Sequence, residues 1–150
     1  MNEANLRLTD VYADQDESAL ILWDLLKERK PEQSISHKKM PTLRRHIDFI
    51  ASRPYRAWLI IWKRRDAVTD VPAGAIYLTH ANEIGIAIFR EHQKQGIAPT
   101  AIRMLMALPL ASSQRYLANI NPQNEPSVRM FERLGFTLSH TQLTYVKERS

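Results

Sequence analysis

Cysteine is absent from this 150-residue chain. Its absence excludes disulfides, thiolate metal sites and any reaction that passes through an acyl-cysteine. It suits a reducing compartment, and the cytoplasm is the expected location. No apolar run is long enough to span a bilayer, and no leader-like segment opens the chain, so a membrane partner is not expected. Charge of one sign does not gather into a stripe. Lys and Arg outnumber Asp and Glu by 21 to 16, giving a net charge of +5, yet the positives are dispersed over residues 27–30, 38–39, 44–45 and 63–65. No aromatic-interleaved basic surface of the kind used by single-strand binders is present, and nucleic acid is not an expected partner. No spacing of His, Asp and Glu resembles a metal site, so no metal is expected. Repeats, low-complexity tracts and linkers are also lacking. With 44% hydrophobic and 25% charged residues, the composition is that of a globular protein rather than a disordered one, and the expectation is one domain over residues 1–150.

What is present is an alternation of strand-like and helix-like segments. Leu6 to Val11 reads as a strand. Asp16 is placed to cap an apolar-rich helix over Ala19 to Leu26. Residues 27–40, bounded by Pro31 and Pro41, read as a loop. Thr42 caps a second helix, on which Leu43, His46, Ile47 and Ile50 share a face. Ala57 to Trp62 and Ala73 to Thr79 read as strands of a hairpin joined by the polar residues 63–72. Glu83 to Phe89 is a further strand, and Gly96 to Leu108 a long helix with Ile97, Ala101, Met104, Leu105 and Leu108 on one side. Tyr116 to Asn121 reads as a strand and Asn124 caps a short helix to Leu134. Gly135 stops that helix, and residues 136–147 form a closing hairpin. The order is β-α-α-β-β-β-α-β-α-β-β, an α+β protein with a mixed sheet flanked by helices. A generic α+β sandwich fits the same pattern.

The junction Gln93-Lys94-Gln95-Gly96-Ile97-Ala98 carries the chemistry. It joins an apolar strand to the start of a helix, where the first backbone N–H groups lack partners and the helix dipole is positive. A small-residue turn there lets a pyrophosphate approach the backbone. Pro99 fits the first helical turn, where its missing N–H costs no helix bond. An ordinary strand–turn–helix connection reads the same way from these residues alone. A second block, Asn119 to Phe136, narrows the choice. Gln93 to Ala98 matches Gln/Arg-x-x-Gly-x-Gly/Ala, the acetyl-CoA signature of the GNAT (Gcn5-related) N-acetyltransferases. Asn124-x-x-Ser127-x-x-x-Phe131-Glu-x-Leu-Gly-Phe136 matches the later strand–helix block of that superfamily, in the right order and spacing. The chain therefore resembles the GNAT superfamily, most clearly over residues 73–137.

The resemblance implies a GNAT fold, a central mixed sheet with splayed strands, and acetyl-CoA as acetyl donor. It also implies direct transfer to the primary amine of a small molecule. Gln93, Lys94, Gln95, Gly96, Ile97 and Ala98 would hold the pyrophosphate. Backbone groups near Ile86 and Ile88 would hold the pantetheine arm and polarise the acetyl carbonyl. Asn124 would bond the cofactor besides capping its helix. Glu83 would be the general base, or else an exposed carboxylate at a strand end. His80, just upstream, reads as a turn residue. Many relatives carry a tyrosine where Phe131 stands, so the usual proton donor to the thiolate is missing; Tyr116, Tyr145 and Ser127 are other candidates, and Phe131 reads as packing against the cofactor arm or the core. His37, Asn119 and Asn121 are candidate acceptor contacts, although a loop histidine and a polar strand edge would look alike. His46, on an apolar helix face, reads as a buried structural histidine. Tyr55, Trp58 and Trp62 read as core or as a pocket wall. A looser similarity, over Ile35 to Pro41, Tyr55 to Trp58 and Asn82 to Ile88, is to amino-sugar N-acetyltransferases of bacterial surface-glycan synthesis, which act on nucleotide-linked amino sugars. Amino acids, polyamines and protein N-termini are alternative acceptors, and a CoA- or nucleic-acid-binding module of the same fold without activity is the non-enzyme alternative. A homodimer is an expected assembly.

Overall fold

The computed structural model describes residues 1–29, 40–110, 115–139 and 147. Four strands, β1 (Leu6–Asp10), β2 (Ala57–Arg64), β3 (Asp70–Leu78) and β4 (Ile84–Ile88), form an antiparallel sheet in the order β1-β2-β3-β4. Helices α1 (Gln15–Lys27) and α2 (Leu43–Ala51) cover one face; α3 (Ile97–Ala107) and α4 (Glu125–Arg133) cover the other. The two-residue period of a strand explains the division. On β2 and β3, Trp58, Ile60 and Ala75 point into the α1–α2 layer with Val11, Leu22 and Ile50. Ile61, Ala73, Ile76 and Leu78 point the other way, against Ile97, Ala101, Ile102, Leu105 and Phe131. The strands are buried on both sides, so they read as continuous apolar runs.

Each helix is held by local chemistry. Asp14, not Asp16, caps α1: its carboxylate accepts from the Glu17 N–H at 3.3 Å, leaving Asp16 and Glu17 as acidic residues in the first turn, where the dipole favours them. β1 accordingly ends at Asp10, whose side chain accepts from the Tyr12 N–H at 2.9 Å and starts a 3₁₀ turn over Val11–Ala13. Thr42 caps α2 as expected, accepting from the Arg45 N–H at 3.2 Å. On α2 only His46 and Ile50 are buried, while Leu43 and Ile47 stay exposed. The His46 imidazole Nε2 lies 3.0 Å from the Ala19 carbonyl; a carbonyl can only accept, so this nitrogen carries the proton and ties α2 to α1. Burial, only partly offset by this bond, holds the His46 pKa below its usual value. On α3 the buried stripe runs through Ile97, Thr100, Ala101, Ile102 and Leu105, and Leu108 falls outside the helix as its C-cap.

α4 ends in a complete Schellman motif. The Phe136 N–H donates to the Phe131 carbonyl at 3.0 Å and the Gly135 N–H to the Glu132 carbonyl at 3.0 Å. Gly135 takes the left-handed conformation (φ 94°), and the Phe131 and Phe136 rings meet edge to face at 5.1 Å.

Two further expectations change. The β2–β3 ladder runs to Arg64↔Asp70, so the connecting turn is shorter than residues 63–72; the Asp66 carboxylate closes it by accepting from the Val68 and Thr69 N–H groups. The expected strand over Tyr116 to Asn121 is reduced to one parallel bridge, Glu83↔Leu117. Among the described residues this bridge is the only parallel pairing, and the closing hairpin over 136–147 falls largely outside them.

Candidate active site

The bridge at Glu83 fixes where the sheet opens. The Ile84 N–H donates to the Leu117 carbonyl at 2.8 Å, and the Leu117 N–H donates to the Asn82 carbonyl at 2.9 Å. Beyond Ile84 the two segments part. On the other side of β4 the Thr79 N–H donates to the Glu83 carbonyl and the Phe89 N–H to the Ala73 carbonyl. An antiparallel strand directs its backbone groups alternately to either side. Glu83, Gly85, Ala87 and Phe89 therefore face β3, and Ile84, Ile86 and Ile88 face the opening. Ile84 uses its N–H on the bridge. The backbone groups of Ile86 and Ile88 line the gap, and the Ile88 carbonyl accepts from the Gln93 side chain at 3.1 Å.

The gap leads to the start of α3. Two residues in the left-handed region, Lys94 (φ 63°) and Gly96 (φ 76°), curl the chain between Gln93 and Ile97. Gly96 is the N-cap, and no side chain caps the helix. Ile97 is buried and anchors the turn, Ala98 is half-buried, and Gln93, Lys94, Gln95 and Gly96 are exposed. The first N–H groups of the helix have no intrahelical partner, and Gly96 adds no side chain over them, although the Met1 backbone nitrogen would lie 3.2 Å from a Cβ at Gly96. Lys63, read from sequence as part of a turn, lies on β2 and reaches across to donate to the Gln95 side chain at 2.6 Å. It adds a positive charge to the loop; continuing the strand one residue past Trp62 is the signal that finds it. The Thr100 hydroxyl lies against the Gly96 and Met1 carbonyls at 2.9 and 3.1 Å, so residue 1 packs beside this turn.

Glu83 is half-buried at the mouth of the gap, its backbone N–H taken by the Thr79 hydroxyl at 2.9 Å. It follows a three-residue hairpin loop whose last residue, Asn82, is buried and left-handed (φ 65°). His80 in that loop is exposed, as expected for a turn residue. On the α1–α2 side of the sheet, Tyr55 and Tyr77 stack with ring centroids 4.0 Å apart and planes 3° from parallel. Trp58 and Phe49 pack edge-on against Tyr55. Burial raises the pKa values of both tyrosines, and the nearby Glu83 charge raises them further. Trp62 stands apart, its indole N–H donating to the Thr9 hydroxyl at 2.7 Å.

The other candidates are placed as follows. Phe131 is 5% exposed, in the core between α3, α4 and the sheet. Asn124 caps α4 through the Ser127 N–H at 3.4 Å. Asn121 accepts from the Gln123 N–H at 2.9 Å in the turn leading to that cap, and Asn119 is exposed. The Tyr116 hydroxyl donates to the Met106 carbonyl at 3.3 Å, which directs it to the end of α3 rather than to the gap. His37 and Tyr145 lie outside the described residues. No group of three or more metal-ligating side chains occurs among the described residues.

Comparison with known proteins identifies the family and the fold. A family model for the acetyltransferase (GNAT) domain matches residues 7–137, and the chain belongs to that family. It is thus an N-acetyltransferase by class. No curated protein sequence matches it. Among solved structures it is similar to a domain from Methanocaldococcus jannaschii DSM 2661, with 22% identity, a TM-score of 0.70 and 88% of each chain covered. It is also similar to spermidine N-acetyltransferase from Vibrio cholerae in complex with CoA and spermine, with 15% identity, a TM-score of 0.71 and 89% and 82% of the two chains covered. A third, yncA from Salmonella typhimurium with its cofactor acetyl-CoA, gives 16% identity, a TM-score of 0.64 and 91% and 82% coverage.

Proposed function

We propose that the protein transfers the acetyl group of acetyl-CoA directly to a primary amine of a small molecule. One observation carries the reading. The sheet opens immediately after the Glu83–Leu117 bridge, and the backbone of Ile86 and Ile88 faces a gap that leads to the uncapped start of α3. Acetyl-CoA supplies an activated acyl group on a thioester. In this reading the backbone of residues 93–98, with Lys63 beside it, binds the pyrophosphate. Ile86 and Ile88 hold the pantetheine arm as a missing strand would, and a backbone N–H on this edge polarises the acetyl carbonyl. Asn124 and Phe131 flank the arm from α4. Glu83 takes the proton that the acceptor ammonium must lose before it can attack, directly or through water. His37, Asn119 and Asn121 are proposed contacts for the remainder of the acceptor. The chain acts as a single domain in the cytoplasm. Among the described residues, the exposed Leu43, Ile47 and Phe49 on α2 make a homodimer the assembly to test first.

Two acceptor classes lead. A polyamine is one, because a spermidine N-acetyltransferase shares the fold. A nucleotide-linked amino sugar is the other, because of the looser sequence similarity and the net charge of +5. The test is CoA release from acetyl-CoA against a panel of polyamines, nucleotide-linked amino sugars, amino acids and peptide N-termini. Release with one class above the acceptor-free rate supports transfer and names the class. Acetyl-CoA binding without release across the panel would instead favour a binding module.

A further inference from the structure

Tyr77 and Gly85 face each other across the β3–β4 ladder, and both present to the α1–α2 face. Glycine weakens the interior of a strand and often marks close approach of another group. Here that group is the Tyr77 side chain: a Cβ on Gly85 would overlap the Tyr77 Cζ, Cε2 and hydroxyl. The ring therefore lies across the backbone of β4, with its hydroxyl over Gly85. The Tyr55 ring backs it in a parallel stack, and Tyr55 is itself fixed. Its backbone N–H takes the Tyr12 hydroxyl at 3.1 Å, and its ring meets Trp58 and Phe49 edge-on. Four aromatic side chains, Tyr55, Tyr12, Trp58 and Phe49, thus hold one phenol in place. Glu83 lies on the same face, two residues from Gly85 along the chain and diagonal to Tyr77. One residue further on, Ile86 turns its backbone to the gap.

We propose that the Tyr77 hydroxyl is a specificity-determining group that accepts a hydrogen bond from the acceptor amine, and that Gly85 is the opening that lets it reach the transfer site. The inference rests on the reading of Glu83 and the β4 edge as that site. A primary amine attacking a carbonyl uses its lone pair and keeps two N–H groups. The phenol oxygen and the Glu83 carboxyl, whose unprotonated oxygen still accepts after the other has taken the ammonium proton, give each of them a partner on one side of β4. A secondary amine leaves one of the two acceptors unmatched, so the pair selects for primary amines. The phenol stays neutral through the working range, since burial and the Glu83 charge both oppose its ionisation.

The experiment uses the full chain, the primary amine that wild type acetylates fastest, and the N-methyl derivative of that amine. Tyr77→Phe keeps the ring stack and removes the hydroxyl together with the hydrogen bond that it accepts from the Tyr55 hydroxyl; Tyr55→Phe, which removes that bond alone, is the control. It should raise the acceptor KM about tenfold, lower the preference for the primary over the N-methyl amine by a similar factor, and leave acetyl-CoA affinity by calorimetry unchanged. Gly85→Ala, which must push the ring aside, should also raise the acceptor KM and add nothing in the Tyr77→Phe background. An acceptor KM for Tyr77→Phe within about twofold of wild type overturns the proposal. So does a loss shared equally with acetyl-CoA affinity, which would mark Tyr77 as packing only. A wild type that releases no CoA with any amine overturns the transfer reading itself and this inference with it, an outcome distinct from a normal wild type with an unaffected variant.

Discussion

Phe131 stands where many relatives carry a proton-donating tyrosine, and its environment sets what a substitution does. The ring is 5% exposed, packs edge to face on Phe136 at 5.1 Å, and belongs to the core cluster with Ile97, Ala101 and Leu105. Its carbonyl also receives the Phe136 N–H that closes α4. Phe131→Ala removes the ring from both the core and the helix stop. A buried Phe→Ala change costs about 3–5 kcal/mol. At this chain length each kcal/mol moves Tm by about 2–4 °C, so the variant should melt roughly 6–20 °C lower. Acetyl-CoA affinity should fall with it, since α4 flanks the proposed cofactor channel. Phe131→Tyr separates packing from chemistry. A hydroxyl placed in this apolar cluster without a partner costs about 1–3 kcal/mol, so Tm should drop modestly. kcat should stay near wild type, because a CoA thiolate leaves without much help. Circular dichroism melts and single-turnover kinetics on both variants give the numbers. An alanine variant with wild-type Tm and acetyl-CoA affinity would refute the packing and the placement of α4. A tyrosine variant that is faster and no less stable would show that the ring reaches the thiolate and that its protonation limits the rate.

Other outcomes follow from the same geometry. Gly96→Glu should abolish acetyl-CoA binding in calorimetry; Gly96→Ala carries the same left-handed strain, about 1–2 kcal/mol, without the charge, and an equal loss of affinity in both would attribute the effect to backbone conformation rather than to repulsion of the pyrophosphate. Glu83→Gln should depress turnover ~10²–10⁴-fold near neutral pH and recover as pH rises toward the amine pKa; a wild-type pH–rate profile removes Glu83 as base. His46 has a folded-state pKa below its ordinary 6.5, so the unfolded chain takes up the proton first and acid favours unfolding. Stability in urea should therefore be full above pH 6.5 and decline as pH falls from there toward the depressed folded value, and His46→Gln should flatten that decline.

The two face-defining patterns were legible in the sequence because they are local. The continuous apolar run Ala57 to Trp62 and the helical spacing in Ile97 to Leu105 each lie within one element. The caps Thr42 and Asn124 and the stop at Gly135 were equally local. The N-cap of α1 was misplaced by two residues because Asp14, Asp16 and Glu17 all suit a helix start, and only backbone geometry separates a cap from a first-turn carboxylate. Tyr116 to Asn121 has strand-like residues, but whether they pair depends on β4, and the single bridge at Leu117 is a property of two segments over thirty residues apart. The pyrophosphate loop was visible as a motif. Placing Lys63 on β2 was within reach of the sequence, but its contact with Gln95 in the loop before α3, and the Tyr77–Gly85 contact between β3 and β4, were not, because each joins two segments and no single segment encodes it.

The opening beside β4 gives that strand a solvent-exchange rhythm. Its odd-numbered amides, at Gly85 and Ala87, are tied to β3, while those at Ile86 and Ile88 face the gap. Hydrogen–deuterium exchange resolved by residue should therefore alternate along four consecutive positions, slow at 85 and 87 and fast at 86 and 88, although all belong to one continuous strand. A molecule lying along the edge would slow the fast pair and leave the slow pair as it was. β4 thus carries its own reporter of occupancy, readable without a substrate and without turnover.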